Sequence, residues 1–215
     1  MQQRIIRNAA AAGLLLAEIS TAFCQQSANP AVDAIFADLS TPASPGCALG
    51  VYRDGKIIYS KGYGLANIEE DVHITPQTVF DVASISKQFT AASILLLQQQ
   101  GKLRLDEDVR KYIPELPDYG KKITIRHMLN HTSGLRDYVE LFLLAGLNSD
   151  NVTTDDDALG IITRQKALNL PPGSEWLYSN SGYFLLSLIV KRVSGKTLKE
   201  FAAENIFQPL GMTHT

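Results

Sequence analysis

Two β-rich runs, residues 47–53 and 56–63, flank Asp54-Gly55, and no second pair like them follows in this chain of 215 residues. Asp-Gly between such runs is a strong hairpin signal, because a two-residue turn needs positive φ at both central positions. From residue 75 onward the sequence reads as helices and loops. A lone hairpin is not stable in water. The hairpin therefore has to be seated on helices, or on strands that this stretch of sequence does not supply. With 45% hydrophobic and 20% charged residues, there is enough apolar side chain to bury a core.

Other classes are excluded by counts. Twenty Lys and Arg against 22 Asp and Glu leave a net charge of -2, without the basic surplus of a nucleic-acid binder. Two cysteines, Cys24 and Cys47, rule out a disulfide-stapled scaffold and a Cys-rich zinc module. The longest apolar stretch, residues 9–17, is too short to span a bilayer.

That stretch reads instead as the core of an export leader over residues 1–24. Arg4 and Arg7 precede it, and the small residues Ala22 and Cys24 suit cleavage after Cys24. Glu18 places a charge near the apolar run, and bulky Phe23 disfavours a lipoprotein with Cys24 at its N-terminus. The competing reading is a helix kept in the protein. A cleaved leader predicts a periplasmic or secreted domain over residues 25–215, with Cys47 alone and no internal disulfide.

Asn29-Pro30 reads as an N-cap followed by proline at the first helical position. Val32, Ile35, Phe36 and Leu39 then predict one apolar helix face. Residues 86–100 carry Ile94, Leu95, Leu96 and Leu97 in succession, which predicts a helix buried on all sides and stopped by Gly101. Residues 124–131 and 155–165 read as helices, and 141–147 is apolar without a decisive period. Leu170-Pro171-Pro172-Gly173 is a hard stop. Residues 181–193 predict another apolar helix, closed by Gly195. Thr197 and Glu200 form a capping box for the last helix, which Pro209 and Gly211 end.

Two short motifs carry chemistry. With a helix starting near Ser84, Ser84 and Lys87 stand three apart and share a face. A serine hydroxyl is a weak nucleophile that needs an adjacent base, and a lysine can be that base if burial lowers its pKa. Free N–H groups at the helix start suit a developing oxyanion. The plain alternative is an N-cap serine beside a surface lysine. Tyr178-Ser179-Asn180 follows the Pro-Pro-Gly stop and precedes an apolar helix. A tyrosine there can relay a proton, and an asparagine can both donate to and accept from an amide. The plain alternative is a core tyrosine and a capping asparagine.

Together, in this order and context, the two motifs resemble those of the serine β-lactamase and penicillin-binding-protein superfamily, in its class C and esterase-like branch. The resemblance runs from about residue 45 to residue 215, and is carried by residues 45–64, 79–115, 123–135 and 171–212. It implies an α+β fold of the β-lactamase/transpeptidase type: an antiparallel sheet packed with helices, plus a helical subdomain. It also implies roles. Ser84 would be acylated, Lys87 and Tyr178 would act as general base, and Tyr178 would protonate the leaving group. Asn180 would hold the substrate's amide side chain, and the Ser84 N–H would be one oxyanion donor. The substrate would be a β-lactam, a D-amino-acid peptide or a small ester, with no cofactor.

The family's third motif, Lys or His followed by a variable residue and Gly on a late strand, is not found. Ser194-Gly195-Lys196-Thr197 lacks the glycine, since Leu198 stands there, and caps explain it. The missing motif and the missing strands are one observation, and predict the N-terminal part of a longer protein or a truncated copy. Two functions stay open: an acyl-enzyme serine hydrolase, and a non-catalytic family member. His127 and His131 have metal-ligand spacing, but Met128 stands where a zinc protease needs Glu, so no metal is expected and His131 reads as structural. A P-loop fails because Val190 replaces its first glycine, and Gly-x-Ser-x-Gly does not occur.

Overall fold

The computed structural model describes residues 29–41, 43–148 and 150–215. The leader read over residues 1–24, with Cys24, lies outside the described residues. The chain forms two compact units, one up to Thr78 and one over Val79–Thr215.

The first unit begins with α1, Pro30–Ile35, and the Asn29 side chain accepts from the Ala31 and Val32 amides as an N-cap should. A 3-10 turn follows at Ala37–Ser40. Of the apolar face expected here, Val32, Phe36 and Leu39 are half-buried, and one position is corrected: Ile35 is 77% exposed. Asp33 turns inward instead. Its carboxylate accepts from Lys61 Nζ at 2.6 Å, Tyr63 Oη at 2.8 Å and Tyr59 Oη at 3.2 Å. Those bonds set the helix rotation, and the Lys61 bond leads in holding the Asp33 pKa below the ordinary range. Phe36 stacks on Tyr63 with ring centroids 4.6 Å apart.

The hairpin forms where expected, as β1, Cys47–Arg53, and β2, Lys56–Tyr63. Asp54 and Gly55 take φ of 51° and 73°, the mirror-image turn that matches strand twist. The register runs from Cys47 opposite Tyr63 to Val51 opposite Tyr59, then shifts so that Tyr52 faces Ile57. Ile58 is therefore the extra residue of a bulge. Two short strands, β3 (Leu65–Asn67) and β4 (Val72–His73), form a second antiparallel pair. Among the described residues the strands form these two pairs and no larger sheet.

The second unit is helical. Its helices are α2 (Lys87–Gln99), α3 (Ile125–Leu129), α4 (Tyr138–Leu144), α5 (Asp155–Thr163), α6 (Asn180–Ser194) and α7 (Leu198–Ala202). The apolar stretch 141–147 resolves as most of α4, started by Asp137, which accepts from the Val139 and Glu140 amides. Helix α6 is the axis: Leu185, Leu186, Ile189 and Val190 are fully buried. They pack with Ile94 and Leu97 of α2, Ile125 and Met128 of α3, Ile162 of α5 and Phe201 of α7. Gly195 closes α6 in the left-handed conformation at φ 75°. Thr197 and Glu200 then form the expected capping box for α7.

One expectation for α2 is corrected. Ile94 and Leu97 are buried, but Leu95 is 50% exposed. Four consecutive helical residues point around most of the circle, and α6 and α7 cover one side of α2. No helix of the described residues is long and apolar enough to cross a membrane.

Candidate active site

Ser84 does not open the α-helix, as the sequence suggested. It lies in a 3-10 turn, Ala83–Ser86, that leads into α2 at Lys87. In 3-10 winding, residues three apart eclipse one another. Ser84 and Lys87 are therefore stacked more directly than an α-turn would place them, and Lys87 Nζ donates to Ser84 Oγ at 3.0 Å. The turn is entered through Ala83 at φ 44°, with its amide held by Asp81 Oδ1 at 2.8 Å. A left-handed alanine costs about 1–2 kcal/mol, so this entry is strained.

The second motif meets the first. Tyr178 Oη and Ser84 Oγ are 2.8 Å apart and share a hydrogen bond. Lys87 Nζ also donates to Asn180 Oδ1 at 2.9 Å, and lies 5.0 Å from the Tyr178 ring centroid and 5.7 Å from that of Tyr183. Tyr178 Oη reaches Asn180 Oδ1 at 3.4 Å. All four residues singled out in the sequence thus converge on one point, and Ser84 and Tyr178 are open to solvent. Burial tends to raise the Tyr178 pKa. The Lys87 and Ser84 hydrogen bonds and the Lys87 charge outweigh it, and the phenol sits below its ordinary value.

A loop that carried no chemical motif builds the support. The His131 carbonyl accepts from Leu177 N at 2.8 Å, and the Thr132 carbonyl accepts from Gly173 N at 2.8 Å. His131 Nδ1 accepts from Ser179 N at 3.1 Å. Asp137 Oδ2 accepts from Asn180 N, while its other oxygen caps α4. Ser181 Oγ donates to the Arg136 carbonyl at 2.6 Å and accepts from Tyr138 N at 2.8 Å. Residues 131–138 and 177–181 are thereby zipped together. Asp137 is 6% exposed and Ser181 fully buried, so water does not compete for these bonds.

Sequence reasoning missed Asp137, Ser181 and Tyr183 as parts of the site. Tyr183 had a signal: it stands three residues after Asn180 and shares its helix face. Asp137 carried no such signal. His127 serves the Thr124 capping box, accepting from the Thr124 amide at 3.3 Å. The Gly195 and Thr197 caps account for the 194–197 stretch, as expected.

The sequence profile of the Beta-lactamase family matches residues 32–215. The chain belongs to the β-lactamase family. This β-lactamase-family chain is 36% identical over 162 residues to "Penicillin-binding protein 4*" of Bacillus subtilis (strain 168), covering 75% of itself and 35% of that protein. It is 33% identical over 169 residues to a "D-aminopeptidase" of Brucella anthropi, covering 78% of itself and 32% of that protein. Among solved structures it resembles the octameric penicillin-binding protein homologue from Pyrococcus abyssi. There the TM-score is 0.74 at 31% identity, over 85% of this chain and 42% of that one. It also resembles a D-amino acid amidase from Ochrobactrum anthropi SV3, with a TM-score of 0.72 at 29% identity, over 86% of this chain and 50% of that one. The β-lactamase-family chain thus spans about a third of the length of these curated relatives. Its α+β fold follows from these matches.

Proposed function

We propose that Ser84 is the nucleophile of an acyl-transfer hydrolase, with Tyr178 and Lys87 as a coupled general base. The observation that carries this reading is the pair of contacts to Ser84 Oγ, from Tyr178 Oη at 2.8 Å and from Lys87 Nζ at 3.0 Å. A nucleophile and a base within hydrogen-bond reach, with the base oriented by a third group, is the arrangement that activates a hydroxyl. The lowered Tyr178 pKa favours the phenolate as the atom that receives the proton.

In the reaction, Ser84 Oγ adds to the substrate carbonyl as its proton passes to Tyr178. The bond to the leaving nitrogen or oxygen then breaks, and Tyr178 returns the proton to that leaving atom. Water, deprotonated by the same pair, releases the acyl group and restores Ser84. Asn180 holds the substrate's amide side chain through its amide group. The substrate class is a β-lactam, a D-amino-acid peptide or a small ester. Relatives bearing penicillin-binding, D-aminopeptidase and D-amino acid amidase names support the first two. An export leader over residues 1–24 and a periplasmic or secreted location complete the proposal, and N-terminal sequencing of the mature protein checks them.

Incubation with a fluorophosphonate or a fluorescent penicillin, followed by peptide mass spectrometry, is expected to place one adduct on Ser84. Absence of an adduct on the folded chain favours the non-catalytic reading. Equal labelling of Ser84→Ala removes Ser84 as nucleophile.

A further inference from the structure

His131 holds Tyr178 from three sides. Its carbonyl accepts from the Leu177 amide at 2.8 Å, on one side of Tyr178 in the chain. Its Nδ1 accepts from the Ser179 amide at 3.1 Å, on the other side. Its ring stacks on the Tyr178 ring, with centroids 4.5 Å apart and planes at 25°. The opposite neighbour in the stack is Tyr183, at 5.0 Å. His131 itself sits at φ 55°, a left-handed conformation that is uncommon outside glycine but in which Asn, Asp and His are enriched. Such a backbone persists only where its surroundings over-determine it.

We infer that His131 is a positioning residue for Tyr178, and that fast acylation of Ser84 needs the acceptor at its Nδ1 position, which the ring supplies only when neutral. The inference rests on the Ser84 reading above. Its physical content lies in one nitrogen. With Nδ1 accepting from Ser179, the ring proton must sit on Nε2. A proton added at Nδ1 puts two donors face to face, so the Ser179 bond is lost and Tyr178 is freed on one side.

The surroundings set the balance. Lys87 on α2 opposes a charge on His131, and Asp137 at the start of α4 favours one. The other titratable neighbours are the phenols of Tyr178 and Tyr183, and Trp176 meets the ring edge-on at 6.2 Å. Burial is the largest influence, and it holds His131 below its ordinary value of 6.5. The site is thus built to keep this ring neutral, and to lose its alignment in acid.

Two variants separate the roles. His131→Asn keeps an acceptor near the Nδ1 position and tolerates the left-handed backbone, but does not titrate near neutrality. It is expected to acylate within a fewfold of wild type at pH 7.5 and to lose the additional acid-side decline that follows the His131 ring, keeping that of Tyr178. His131→Phe keeps the stack and loses the acceptor. It is expected to slow acylation by about ten- to a hundredfold, the usual scale for a misplaced catalytic group, with little change in the probe concentration at half-saturation.

A second readout does not depend on turnover. In 15N-labelled protein, the Ser179 amide resonance is expected to move with pH at the midpoint of the His131 ring, and to stay still in His131→Asn. A Ser179 amide indifferent to pH overturns the inference, as does wild-type acylation with an unchanged pH profile in His131→Phe. Equal labelling of Ser84→Ala overturns the nucleophile assignment instead, and leaves the resonance experiment to decide on His131.

Discussion

Lys87 contacts Ser84, Asn180 and the rings of Tyr178 and Tyr183, and with Ser84 it lowers the Tyr178 pKa against burial. The Lys87 hydrogen bond and charge are two of the three influences that lower the Tyr178 pKa against the opposing effect of burial. On the proposed mechanism the phenol works as base when deprotonated, so acylation is expected to rise with pH through a midpoint below the ordinary 10.0 of tyrosine. Lys87→Met removes both influences while keeping an unbranched stem. The alkaline midpoint is then expected to move upward, and acylation at pH 7.5 to fall by about 10²-fold or more. A pH series of fluorophosphonate labelling rates checks both. At this scale the sequence was readable where chemistry lay in short words. Ser84, Lys87, Tyr178 and Asn180 could be named before any fold was known. Asp137 and Ser181 could not, because their meaning comes from backbone groups about forty residues away.

Helix ends were the most legible elements, since a cap needs a few adjacent residues to declare itself. Thr124, Thr154 and Thr197 all accept from the N3 amide in reciprocal capping boxes. Helix faces were less legible. The rotation of α1 follows Asp33 and its distant partners Lys61 and Tyr63, and the half-exposure of Leu95 reflects which helices lie beside α2. Two glycines make the element scale testable. Gly160 is inside α5 and Gly195 ends α6 at φ 75°, and an added methyl would meet nothing within 4 Å at either. Backbone alone separates them. Gly160→Ala is expected to stabilise by about 0.5–1 kcal/mol. Gly195→Ala is expected to destabilise by about 1 kcal/mol, from the cost of a left-handed alanine. Urea titrations of the two proteins should shift in opposite directions.

Across the whole molecule, pH acts on stability through the same histidines that the loops enclose. Burial holds both His127 and His131 below 6.5 in the folded chain. The unfolded chain therefore takes up these protons first as pH falls. Their contribution is complete above about 6.5, and is lost as pH drops from there through the folded values. The urea midpoint is expected to decline between pH 7.5 and 5.5, and the decline to flatten in His127→Asn/His131→Asn. An equally steep decline in the double variant would place the cause elsewhere. The acidic groups act in a lower window, because Glu107, bonded to Lys111 and Tyr112, is held down to about 2.

The zipped loops also govern when chemistry becomes possible during synthesis. The contact between Ser84 and Tyr178 spans 94 residues, and the bonds that fix the tyrosine's neighbours span 43 to 48. Closing the longer loop is entropically dearer, and is eased once the shorter ones have formed. A nascent chain that has not yet released residues 177–181 holds Ser84 as an ordinary, unarmed hydroxyl. On the proposed mechanism, Ser84 is armed only after residues 177–181 have joined residues 131–138.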